Sequence, residues 1–167
     1  LQGPRFRFVE VDISDAAALR VVGDVLDGVI HLAAQAGVRH SFEHPEAFIP
    51  SNLVGFYNVA ALAVTAKPSH FVFASTSSVY GGNVRRPFRE MDGADHPLSL
   101  YAATKKANEA MAHALAHIHD LPMTGLRFFT VYGPWGRPDM AYYFFTKAIL
   151  DGKPIQLFNN GLNLRDY

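Results

Sequence analysis

The sequence predicts an α/β protein built on a doubly wound, mostly parallel sheet. Two observations carry this: short apolar runs alternate with longer helical stretches, and glycine, proline and small polar residues punctuate the junctions. Alternation of this kind requires right-handed crossovers and a sheet covered on both faces, with ligands at the carboxyl ends of the strands.

The elements follow in order. Phe6, Phe8, Val9 and Val11 read as an opening strand. Ser14 or Asp15 can cap a helix running to about Leu26. Gly28 then leads into the buried-type strand Val29-Ile30-His31-Leu32-Ala33-Ala34, and Pro45 starts a helix reaching about Ala66. Phe71 to Ser75 is the next strand, and the glycine-, proline- and charge-rich stretch from Tyr80 to Pro97 is a surface loop. Ser99 caps a long helix to about His119. Met123 to Phe129 is a strand, Gly133 to Pro138 a loop, Met140 to Leu150 a helix, and Ile155 to Phe158 a closing strand.

The 167 residues suit one domain with a real core, and a chain 49% hydrophobic and 18% charged is not a disordered one. Fifteen basic residues balance fifteen acidic ones, which gives no electrostatic case for nucleic acid or an anionic membrane. Absent cysteine excludes disulfides, a thiol nucleophile and thiolate metal ligation. The longest unbroken apolar run considered, Val59 to Val64, falls far short of a membrane span, and no leader pattern opens the chain. The expectation is a soluble, cytoplasmic domain. The chain opens at Leu1 without an initiator methionine and ends at Tyr167 without a stop signal, so both ends read as cuts through a larger protein.

Chemistry concentrates after the strand Phe71–Ser75, in Ser75-Thr76-Ser77-Ser78-Val79-Tyr80-Gly81, and at the start of the following helix, in Tyr101-Ala102-Ala103-Thr104-Lys105. Residues four apart share a helix face, so the Tyr101 phenol and the Lys105 ammonium can reach one pocket. A nearby ammonium favours phenolate and moves tyrosine toward service as a general base. Thr76 can hold the same substrate oxygen against the phenol. With seven tyrosines the bare spacing is weak evidence, and it recurs at Tyr143 and Lys147. Only Tyr101 has a hydroxyl-rich strand end upstream; Tyr143 reads as an aromatic helix face.

Four ordered stretches resemble the extended short-chain dehydrogenase/reductase family of NAD-dependent epimerases and dehydratases. They are residues 29–34, Ser51-Asn52-Leu53-Val54-Gly55, residues 73–81, and Tyr101-Ala102-Ala103-Thr104-Lys105-Lys106-Ala107-Asn108-Glu109. A fifth, from Leu126 through Thr130-Val131-Tyr132-Gly133-Pro134 to Met140, is similar to the nucleotide-sugar epimerases, and among them the UDP-glucuronate 4-epimerases. The resemblance implies a Rossmann-like sheet and a C4 inversion through a 4-keto sugar. Tyr101 would be the base, Lys105 its partner and the holder of the nicotinamide ribose, and Thr76 the hydroxyl partner. It implies NAD contacts at Asp12, Ile13, Leu32, Ala33, Ala34, Asn52, Ser75 and Phe128 as well as Tyr101 and Lys105. Substrate contacts fall to Thr76, Ser77, Ser78, Thr130 and Arg137, with Arg165 near the diphosphate.

Relatives that eliminate or decarboxylate usually carry an acid directly after the catalytic hydroxyl; here Ser77 and Ser78 follow Thr76, which favours epimerisation. Neutral hydroxyls at 76–78 and 130 suit a hexuronate carboxylate. The family also pairs through two long helices, which fall here near 45–66 and 99–119, so a homodimer is expected, with neither nucleic acid nor membrane as partner. The alternatives are a 4-epimerase acting on UDP-glucose and an inactive fragment or dimerisation module. The family's glycine-rich GxxGxxG turn is absent before Asp12, and its carboxyl-terminal substrate domain is absent beyond Tyr167. The reading is therefore of a partial NAD-binding domain over 1–167, with the start of a substrate region near 133–167. No metal site is expected: His113 and His117 stand four apart on one helix, but no third ligand joins them.

Overall fold

The computed structural model describes residues 5–162. The chain divides into two compact units, Leu1–Arg127 and Phe128–Tyr167. In the first, a three-stranded sheet runs in the order β1 (Val29–His31), β2 (Phe71–Thr76), β3 (Met123–Phe128). β1 and β2 are parallel, with Val29 opposite Phe71 and His31 opposite Phe73. Helices α1 (His40–Glu43), α2 (Gly55–Ala66) and α3 (Leu100–His119) lie between the strands. The α/β crossover architecture is thus the expected one, on a shorter sheet.

The core forms where α2 and α3 meet β2. On α2, Phe56, Ala60 and Ala63 follow helical spacing and are buried against Phe71 and Phe73, with Ala112 and Leu121 completing the cluster. Phe56 stands edge-on to both strand phenylalanines, at 6.1 and 5.2 Å between ring centres. Gly125 of β3 completes this contact: a Cβ there would sit 2.5 Å from the Phe73 ring. Stretch 45–66 is long and apolar enough to cross a membrane, yet this is the segment that gives Phe56, Ala60 and Ala63 to the core.

Several expected elements take other forms. Residues 6–12 form no strand: Phe6 and Phe8 are exposed, and alternation alone cannot make a strand without a neighbour to accept its hydrogen bonds. Residues 155–157 are likewise not a strand, and the chain turns through a short 3-10 segment at Phe158–Gly161. The first helix shrinks to a 3-10 turn, Ala18–Val22, ended by Gly23 at φ +90°. The strand 29–34 stops at His31. The helix 45–66 is interrupted, passing from a 3-10 turn at Pro45–Ala47 through a π-helical turn at Ile49–Val54 before α2 begins. Ile30 of β1 and Leu126 of β3 are exposed although apolar.

In the second unit, α4 (Ala141–Leu150) follows the loop 133–138. The Tyr142 hydroxyl donates to the Val131 carbonyl at 3.2 Å, and a side chain at Gly136 would collide with it.

Candidate active site

α3 begins where the sequence predicts. The Ser99 hydroxyl accepts from the Ala102 N–H at 3.1 Å, capping the helix and setting its first turn, which carries Tyr101, beside the end of β2. One turn on, Lys105 is buried, and its ammonium donates to the Ala74 carbonyl of β2 at 2.9 Å. Burial lowers the Lys105 pKa to about 8. The Tyr101 ring meets buried Phe48 edge-on at 6.2 Å, and its hydroxyl bonds to no other described residue. The ring is held in place by this contact. Lys105 therefore spends one donor on β2, and two of its three protons remain for other partners.

Thr76 ends β2 in extended backbone and caps the 3-10 turn Ser77–Tyr80. Its hydroxyl accepts from the Ser78 N–H and donates to the Ser78 hydroxyl, both at 3.2 Å. Ser77 and Ser78 are half-buried beside it. Gly81 follows at φ +49°, where a Cβ would collide with the His96 carbonyl, so this turn tolerates only glycine. Beyond it, Tyr80 stacks on Phe88 at 4.5 Å and pins the 81–97 loop.

Other residues named from the sequence have side chains committed elsewhere. Ser75 donates to Glu109 of α3 at 2.6 Å. Asn52 lies fully buried in the π-helical turn. Its amide accepts from Gln35 N–H at 2.8 Å and donates to Gln35 O and the Thr104 hydroxyl, both at 3.0 Å. It clamps the loop after β1 to α3 rather than reaching outward. Leu32 and Ala33 are exposed and Ala34 half-buried in that loop, just past the end of β1. Asp12 is exposed and accepts from the Ser14 N–H and hydroxyl at 2.8 Å; these bonds hold its carboxyl below the usual value. Ile13 packs over Gly55, where a Cβ would lie 2.6 Å from its side chain, and its carbonyl accepts from Asn58 at 3.0 Å. Phe128 closes β3. In the second unit Thr130 is half-buried, and Arg137 forms a two-pronged pair with Asp139 at 3.0 and 2.7 Å. Arg165 lies outside the described residues. Tyr143, Lys147, His113 and His117 are exposed on their helices.

Two participants escaped the sequence reading. Glu109, four residues after Lys105, takes Arg127 of β3 in a two-pronged bond at 2.9 Å per arm, besides Ser75. Burial opposes its charge, but the Arg127 and Ser75 bonds outweigh it and hold the carboxyl below its usual value. Arg127 also lies over the Tyr80 ring, 4.8 Å from its centre. This cluster joins α3, β2, β3 and the turn after Thr76. The signal for it was the i, i+4 spacing of Lys105 and Glu109. The second is His31, buried at the end of β1 against Phe56 and Phe71. Burial, with the Lys105 charge adding to it, lowers its pKa to about 4 and keeps the imidazole neutral.

Thr76 thus ends β2, and Tyr101 and the buried Lys105 occupy the first turns of the helix joined to that strand. The chain belongs to the NAD-dependent epimerase/dehydratase family, whose model matches residues 2–167. It is 51% identical to a probable UDP-glucuronate 4-epimerase of Rhizobium meliloti, over 97% of this chain and 48% of that protein. It is 54% identical to UDP-glucuronate 4-epimerase 3 of Arabidopsis thaliana, over 95% and 38%. Among solved structures, the UDP-glucuronic acid 4-epimerase of Bacillus cereus, in complex with UDP-glucuronic acid and NAD, superposes with a TM-score of 0.84 at 34% identity, covering 98% of this chain and 52% of that one. A UDP-glucose 4-epimerase of Thermotoga maritima, solved with UDP-glucose, gives 0.89 at 30% identity, covering 96% and 54%. The chain spans about half the length of the curated relatives it matches, or less.

Proposed function

We propose that this chain carries the catalytic centre of an NAD-dependent epimerase that inverts C4 of UDP-glucuronate to give UDP-galacturonate. The observation that carries the reading is the join of α3 to β2 through the Lys105–Ala74 bond, which sets Tyr101 and Thr76 at one strand end. Similarity above 50% to proteins named UDP-glucuronate 4-epimerases supports the sugar.

The residues present fit the nicotinamide end of the cofactor: a buried ammonium with donors to spare, a free phenol, and small side chains past β1. NAD, when bound, would take hydride from C4 and return it to the other face of the 4-keto sugar. Tyr101 would take the proton of the 4-hydroxyl and later return it to the same oxygen. Thr76 holds the same oxygen by a hydrogen bond. The Lys105 ammonium, with donors left beyond its bond to Ala74, would hold the ribose. Ser77 and Ser78 supply neutral donors for the C5 carboxylate, and with no acid after Thr76 there is none to drive elimination. Arg137 would have to leave Asp139 to serve an anion. Pairing of two copies through 45–66 and 99–119 and a cytoplasmic setting belong to the same proposal.

A second reading takes UDP-glucose as substrate, favoured by the fit to the Thermotoga maritima enzyme. Incubating the protein that carries this sequence with NAD and each UDP-sugar, then separating the products by chromatography, tests both. UDP-galacturonate from UDP-glucuronate is the expected product. Turnover of UDP-glucose alone would select the second reading, and turnover of neither would leave an inactive or pairing module.

A further inference from the structure

Three ligand-type side chains gather between β1 and α2. His40, Glu43 and His44 occupy a single helical turn in H-x-x-E-H order, α1 and the residue that caps it. Residues at i, i+3 and i+4 share one helix face. One imidazole nitrogen from each histidine and one Glu43 oxygen all lie within 4.8 Å of each other.

The surroundings restrain these groups. The two imidazoles lie 4.9 Å apart between ring centres, and His40 also rests against buried Phe48 at 5.9 Å. Glu46 stands 3.4 Å from His44 Nδ1, where an outer carboxylate commonly orients a ligating imidazole. Zinc takes nitrogen and carboxylate ligands at about 2.0–2.2 Å, so closing this trio around an ion needs side-chain rotation and no change of fold. Two imidazoles select against Mg²⁺ and Ca²⁺, which are held by oxygen ligands.

We propose that His40, Glu43 and His44 form a surface site for a zinc-class divalent cation, with three protein ligands and water in the fourth position. The ion braces the turn that carries Phe48, and through Phe48 it braces the ring of Tyr101. His113 and His117 on α3 have the same four-residue spacing but belong to no three-ligand group among the described residues, and they serve as the internal comparison.

The test is titration of Zn²⁺ into the 167-residue chain by calorimetry, with Co²⁺ absorption to report tetrahedral coordination. One ion per chain is expected, and its binding is lost in the His40→Ala/His44→Ala double variant. Glu43→Gln is expected to weaken it by about tenfold or more, while His113→Ala/His117→Ala leaves it unchanged. The absence of saturable binding to the unaltered chain would overturn the proposal. So would binding that survives the first double variant, or that disappears in the second.

Discussion

Lys105 and His31 show how burial sets charge at the strand ends. Lys105 is held at about 8 in the fold against 10.5 for a free lysine. Between those values the unfolded chain keeps a proton that the folded chain has released, so stability rises with pH from about 8 to 10.5. Lys105→Met is predicted to flatten that rise in pH-dependent urea melts. His31 acts in the acid range. Its pKa is about 4 folded and 6.5 free, so its contribution is present above 6.5 and is lost as pH falls toward 4. His31→Phe is predicted to remove this part of the acid sensitivity, read from the same melts. At this scale the sequence exposed Tyr101, Lys105 and Thr76 through spacing and hydroxyl clustering. It did not show that the Asn52 amide bonds Gln35 and Thr104, because an amide's partners are visible only once the fold places them.

At the scale of elements, Glu109 and Arg127 fix the site's geometry by tying α3 to β3, while Glu109 also holds Ser75 at the end of β2. Both partners are mostly shielded from solvent, so Glu109→Gln is predicted to cost about 1–3 kcal/mol. Chemical denaturation measures that loss. Because the pair anchors Ser75, the neighbour of Thr76, the variant is also predicted to lower kcat more than it raises KM. Gly125→Ala, which drives a methyl group into Phe73, is predicted to cost about 1–3 kcal/mol by overpacking. The long helix 100–119 was legible because its start carries a capping serine, and β2 because its apolar run is bounded by Pro68 and a hydroxyl cluster. Residues 6–11 were misread because alternation reports only a preference for pairing; a strand also needs a partner, and here none is described beside it.

At the scale of the whole first unit, the core around Phe56, Phe71 and Phe73 packs α2 and α3 on β2, so fold and candidate site depend on the same elements. The α/β class was legible in the alternation of runs and helices. The exposure of Ile30 and Leu126 was not, since these are apolar residues that pattern alone assigns to an interior. The proposed function stands on Tyr101, one turn before Lys105, as the base for a proton on a nucleotide sugar. Tyr101→Phe in the protein that carries this sequence tests it most directly, with UDP-glucuronate turnover and NAD binding measured side by side. The account predicts that turnover falls by about 10²–10⁴-fold while NAD affinity and the circular dichroism spectrum hold. Turnover that survives the loss of this hydroxyl would contradict it.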